Sequence, residues 1–166
     1  MKTQVFALPI STGEGEFLAR YSLRGLMALD FPNRRDSAET TNSKTGIPAE
    51  IRKWHQTTRN ALTKLLAGEK KVKFPPLDLS GTNFQKSVWR QMLKIASGKT
   101  KSYGEIAEAI GKPGAVRAVG SACGANRIPV FVPCHRVLAA NKKIGGFGAG
   151  LHWKYKLLER EGIFFE

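Results

Sequence analysis

Two consecutive prolines, Pro75 and Pro76, constrain this chain more than any other feature. Neither residue fits inside a helix and both favour extended backbone, so residues 73–80 (KFPPLDLS) read as a linker. The linker predicts an N-terminal unit over 1–78 and a C-terminal unit over 79–166. With 166 residues, the chain can form one compact domain or two small ones sharing an interface, and can bury a core without disulfides or metal.

Ahead of the prolines, apolar-rich segments at 4–10, 16–22 and 24–31 are separated by Ser11, Gly13, Gly15 and Gly25, which predicts a meander of strands. Residues 32–48 are polar and aperiodic, so a loop is expected. From 48 to 67, Ile51, Trp54, Leu62, Leu65 and Leu66 suit an amphipathic helix that Gly68 ends. His55 on that helix reads as a surface or packing residue. Nothing in this half has the pattern of an active site.

Beyond the linker, Thr82 or Asn83 can cap a helix running to about residue 96, with Phe84, Val88, Trp89, Met92 and Ile95 facing inward. Lys86, Arg90 and Lys94 fall four apart and form a basic stripe. Ser102 and Glu105 have capping-box spacing and open a helix through Ile110, which Gly111-Lys112-Pro113-Gly114 breaks. A second short helix over 115–123 is made largely of Ala, Gly and Ser. Two short helices across a tight turn are a helix-turn-helix candidate, whose second helix enters a DNA groove. Helical hairpins in ordinary cores share this pattern.

Charge favours the DNA reading. The formal net charge is +14, with 13 basic against 8 acidic residues in 1–80 and 14 against 5 in 81–166. A basic excess concentrated in one half implies a polyanionic partner, most simply nucleic acid; a basic surface kept for solubility is the plain alternative. No apolar run approaches the roughly 18 residues of a membrane span, and the first residues lack a signal-peptide pattern. Two cysteines, Cys123 and Cys134, make no disulfide framework, so a cytoplasmic location (or nuclear, in a eukaryote) is expected. With His55, His135 and His152 and no C-x-x-C, no metal site is expected.

Residues 128–132 (IPVFV) read as a buried extended run delivering Pro133-Cys134-His135-Arg136-Val137. Pro133 fixes the backbone before Cys134, and the positive neighbours would favour thiolate, the nucleophilic form. Cys123, among Ala and Gly on a helix, reads as inert. Adjacent residues of an extended chain point to opposite sides, so either the chain turns at Cys134 or a water carries a proton to His135. A third group must orient the imidazole, and the acids of this half are Glu105, Glu108, Glu159, Glu161 and Glu166. A buried, inert cysteine beside a surface histidine fits the pair as well when it is taken alone.

The surroundings narrow the choice. GTNFQKSVW at 81–89, SYGEIA at 102–107, RAVGSACGANRIPVFVPCHRV at 117–137 and GGFGAGLHWKYKLLEREG at 145–162 together resemble the catalytic domain of the O6-alkylguanine-DNA alkyltransferases, over about half the chain. The resemblance implies a ribonuclease H-like N-terminal α/β domain, with a small antiparallel sheet and a helix. It also implies a mostly α C-terminal domain with a winged-helix-like helix-turn-helix. The implied activity is cofactor-free, single-use repair of O6-alkylguanine in duplex DNA, with O4-alkylthymine a further possible substrate, by a monomer that has no membrane partner.

Residue by residue, the resemblance makes Cys134 the alkyl acceptor, His135 the base acting through a water, Glu161 the carboxylate holding the imidazole, and Asn126 the brace of the active-site turn. It makes Arg117 the side chain filling the space of a flipped base. Tyr103 crowds the 3′ phosphate and supplies a proton to guanine. Ala118 and Ser121 let their helix lie in the minor groove, while Gly104 and Lys112 contact phosphate. Pro129, Val137, Phe147, Gly148 and Lys154 form or flank the alkylguanine pocket. Relatives often carry tyrosine where Phe147 stands and serine or alanine where Gly148 stands, so a pocket widened toward bulkier alkyl groups is expected. The resemblance also makes Lys154 a positive charge that helps hold thiolate. A cysteine hydrolase and a DNA-binding module without chemistry are the rival readings.

Overall fold

The computed structural model describes residues 4–34 and 46–165. The three apolar-rich segments predicted ahead of the prolines form strands. Strands β1 (Phe6–Thr12), β2 (Gly15–Ser22) and β3 (Gly25–Asp30) form an antiparallel sheet in the order β1-β2-β3. The first hairpin closes over Thr12, whose hydroxyl donates to the Gly15 carbonyl at 2.7 Å and accepts from the Glu14 amide at 3.1 Å. A bulge opposite Arg20 and Tyr21 leaves Met27 as the extra residue on β3. The predicted loop 32–48 begins with a 3-10 turn at Pro32–Arg34, and 35–45 lie outside the described residues.

Helix α1 (Ala49–Leu66) buries Ile51, Thr58, Ala61, Leu62 and Leu66. His55 is a packing residue: its Nδ1 lies 2.8 Å from the Tyr21 hydroxyl and its Nε2 3.2 Å from the Pro9 carbonyl. The proline stretch is extended, as the sequence predicts, but it is pinned to the sheet. The Leu26 amide donates to the Pro76 carbonyl and the Asp78 amide to the Leu26 carbonyl, both at 2.8 Å. Gly25 (φ 151°) permits this approach, since a Cβ there would come within 2.4 Å of the Pro76 oxygen.

The second half is a helical cluster. Thr82 caps α2 (Asn83–Leu93) and Ser102 caps α3 (Tyr103–Ala109), each through a complete capping box, with Gln85 and Glu105. Helix α2 stops short of the predicted residue 96. The Lys94 and Ile95 amides turn to Gln91 and Met92 in tighter i−3 bonds. Gly111 (φ 74°) ends α3, and α4 (Val116–Gly124) follows. The Trp89 indole donates to the Ala122 carbonyl at 2.8 Å, fixing α2 against α4. Strands β4 (Lys101–Ser102) and β5 (Val137–Leu138) make a two-residue parallel ladder, and α5 (Leu151–Arg160) closes the chain.

The two halves share one apolar core. Phe17 and Phe31 from the sheet meet Trp153 of α5 edge-on, with centroids 5.7 and 4.9 Å away, and Phe147 packs on Phe31 at 6.0 Å. Phe147 thereby ties the glycine-rich loop to the sheet. No helix among the described residues is long and apolar enough to cross a membrane.

Candidate active site

The segment before Cys134 departs from the expected extended run. Residues 128–132, all buried except the half-buried Pro129, fold into a compact turn, with the Val132 amide donating to the Ile128 carbonyl at 2.9 Å and Val130 at φ 75°. A β-branched residue rarely holds a positive φ, so the turn needs an outside brace. Asn126 supplies it: its side-chain amide donates to the Val132 carbonyl at 2.8 Å, and its carbonyl accepts from the Ile128 amide at 3.0 Å. Apolar residues bounded by prolines fit a buried strand and a buried turn equally well, and the asparagine two residues upstream selects the turn.

The turn delivers Cys134 as the first residue of a 3-10 helix, Cys134–Arg136. At three residues per turn, neighbouring side chains are splayed by about a third of a circle rather than opposed. The chain turns, and the stereochemical obstacle of the extended reading disappears. His135 is 1% exposed. Its Nε2 lies 2.9 Å from the Glu161 carboxylate, and its Nδ1 is buried with no hydrogen-bond partner among the described residues.

Glu161 sits one residue past α5, its amide bonded to the Leu157 and Leu158 carbonyls. It also receives Arg136, whose Nε donates to both carboxylate oxygens at 3.1 and 3.0 Å and whose Nη2 donates at 2.7 Å. Arg136 further donates to the Ile95 carbonyl at 2.7 Å. The sequence reading gave this guanidinium to the thiol; the structure gives it to Glu161. Burial alone would raise the Glu161 pKa, but the hydrogen bonds and charges of His135 and Arg136 outweigh it and hold the carboxyl at about 2.

Glu161 is therefore an acceptor only, so Nε2 of His135 carries the ring proton. Burial lowers the imidazole pKa against the pull of Glu161, and the neutral ring leaves Nδ1 with a free lone pair. Burial pushes the Cys134 thiol up to about 11; Asn126, Lys154 and the local backbone amides only partly offset it. The resting residue is thus a thiol, contrary to the thiolate expected from its neighbours. Loss of hydration outweighs the positive charge nearby.

Lys154 is fully buried and lies behind the site. Its ammonium donates to the Val137 carbonyl at 2.8 Å and the Gly146 carbonyl at 3.0 Å, tying the glycine-rich loop to the strand after Cys134. Burial lowers its pKa to about 8. Val137 is fully buried as well. Tyr103, half-buried at the start of α3, places its hydroxyl where a Cβ on Gly145 would come within 3.0 Å.

Cys134 opens into a cleft of about 450 Å3 whose walls include Pro129, Phe147 and Gly148. Val137 and Lys154 are not among the wall residues. Its far wall is strand β3, from Met27 to Asp30, with Phe31 beyond. The sequence carried no signal for that contribution of the first half. Cys123 also lines the cleft, as a thiol that burial pushes up to about 12. Along α4, Arg117, Ala118 and Ser121 are exposed while Val119, Ala122 and Cys123 are buried. The small-residue face is the outward one. Lys112 is exposed in the turn before it, over the Phe84 ring at 5.4 Å, and Gly104 lies in the first turn of α3.

Comparisons with known proteins agree with this geometry. Residues 83–163 match the family model of the 6-O-methylguanine DNA methyltransferase DNA binding domain. The methylated-DNA–protein-cysteine methyltransferase of Mycobacterium tuberculosis is 52% identical over 100 residues, covering 60% of this chain and 61% of that protein. The protein of the same name from Methanosarcina acetivorans is 39% identical over 158 residues, covering 95% of this chain and 96% of the relative. The OGT of Mycobacterium tuberculosis, solved in complex with DNA, superposes with a TM-score of 0.73 at 38% identity, over 92% of this chain and 90% of that one. With a match running through both halves and the buried His135–Glu161 pair beside Cys134 in the sequence inside it, the chain belongs to the methylated-DNA–protein-cysteine methyltransferases.

Proposed function

We propose that the chain repairs O6-alkylguanine in duplex DNA by moving the alkyl group irreversibly to Cys134. The observation that carries this reading is the His135–Glu161 pair: Glu161 pins Nε2 of His135, which leaves a buried Nδ1, without a partner among the described residues, on the residue next to the neutral Cys134 thiol. His135 Nδ1 takes the thiol proton through a bridging water. The sulfur then attacks the alkyl carbon in line, a C–S bond forms as the C–O6 bond breaks, and the electron pair leaves on guanine O6. Tyr103 supplies the proton that guanine needs. The imidazolium is stabilised by the Glu161 carboxylate. The thioether does not hydrolyse, so each molecule acts once.

A thiol set in a cleft reaches a base only after that base leaves the stack. The exposed Arg117, Ala118 and Ser121 face of α4 supports entry into the minor groove, with Arg117 filling the vacated space and Gly104, Lys112 and Tyr103 on the phosphates. In this reading residues 1–78 support 79–166, as a ribonuclease H-like sheet and helix beside a winged-helix-like cluster, and the protein acts as a monomer. Gly148, where a Cβ would meet nothing within 4 Å, supports acceptance of groups larger than methyl. The test counts turnovers with duplex DNA in excess. One alkyl group removed per protein is expected; many would mean a hydrolase, and none a lesion-binding module.

A further inference from the structure

We infer that the cleft selects O6 substituents bearing a carboxylate, and that Arg127 is the residue that selects them; this rests on the alkyl-transfer reading above. In-line attack places the Cys134 sulfur, the reacting carbon and O6 on one axis. Any further group on that carbon therefore projects sideways, into the cleft walls. Two of those walls, Pro129 and Phe147, are apolar, and Gly148 on the same lining offers open space where a Cβ would meet nothing within 4 Å.

Three charged residues line the same cleft: Arg20, Asp30 and Arg127. Two of them neutralise each other. The Arg20 guanidinium donates twice to one Asp30 oxygen, at 3.2 and 2.8 Å. Arg127 has no side-chain partner among the described residues, and its backbone is fixed by the Leu29 amide, which donates to the Arg127 carbonyl at 2.8 Å. A rigid cleft with a net charge of +1 attracts an anionic substituent over a neutral one of the same shape. The transfer itself is unchanged: the C–S bond forms, C–O6 breaks with its electron pair on O6, and the carboxylate stays on the new thioether.

The experiment compares single-turnover transfer at saturating protein from duplexes carrying O6-methylguanine, O6-carboxymethylguanine or the neutral, isosteric O6-carbamoylmethylguanine. At low salt the carboxymethyl group should move about three- to fivefold faster than the carbamoylmethyl group, as for a partly exposed ion pair. High salt should shrink that ratio. Arg127→Gln should bring it to near one and Arg127→Glu below one. Because each ratio compares two groups in the same DNA, a general change in DNA affinity cancels. A wild-type ratio near one overturns the selectivity, and the same ratio above one in all three proteins overturns the role of Arg127; with methyl transfer intact, either result leaves alkyl transfer standing. Failure of the wild-type protein to move any of the three groups overturns the alkyl-transfer reading instead.

Discussion

Replacing Glu161 with glutamine keeps the shape of the side chain and deletes its charge. Its fall from the ordinary 4.5 to about 2 in the folded protein corresponds to about 3 kcal/mol in favour of the ionised form. Solvent screens little of this, because the side chain is 6% exposed. The folded carboxyl binds its proton less readily than the unfolded one. Its stabilisation is therefore complete above about pH 5 and is lost as the pH falls toward 2. Glu161→Gln should lose about 3 kcal/mol at neutral pH, in the range for breaking a buried ion pair, and the gap to wild type should close in acid. Urea unfolding followed by tryptophan fluorescence from pH 7 to pH 3 measures both quantities. A gap that stays constant across that range, or no gap at pH 7, would refute the assignment of Glu161 as the charged anchor of His135 and Arg136.

Three further outcomes follow from the same geometry. Asn126→Ala orphans the Ile128 amide and leaves the Val132 carbonyl with the Cys134 amide alone, beneath the positive-φ Val130, so thermal unfolding should show a loss of about 2 kcal/mol, with slower alkyl transfer; a loss under about 0.5 kcal/mol would contradict the bracing role. Cys134, pushed up to about 11, should react slowly with iodoacetamide at neutral pH and about tenfold faster for each pH step upward, whereas a plateau at pH 7 would mean a resting thiolate. Lys154, lowered to about 8 by burial, binds its proton less readily folded than unfolded. Wild-type stability should therefore gain between about pH 8 and pH 10.5 relative to Lys154→Met, and parallel stability curves would place the lysine outside the buried site.

Much of this fold was legible because local chemistry and tertiary structure agree. The capping box of α3, the glycine stops after α1 and α3 and the apolar-rich segments between turn residues that become β1 to β3 are local signals, and each of these elements falls within a few residues of its predicted place. The turn at 128–132 was misread because an apolar run bounded by prolines carries no periodicity. Its conformation depends on Asn126, which touches it only in three dimensions. Glu161 lies 26 residues from His135, and only the family resemblance selected it from among five acids. The resting thiol was missed for a physical reason: charged neighbours are visible in a sequence, while desolvation is a property of the packed interior. Strand β3 as a wall of the cleft had no signal at all, since its residues are ordinary sheet residues until the halves pack.

A labelled methyl group shows directly where the alkyl group goes. Duplex DNA carrying a radiolabelled methyl on guanine O6 is mixed with excess protein, and the protein is then digested and its peptides are mapped. Label is expected in the peptide containing Cys134, in an amount equal to the lesions supplied, absent with Cys134→Ser and with none on Cys123. Label that stays on the DNA, or that appears in solvent as free methanol, would contradict transfer to Cys134.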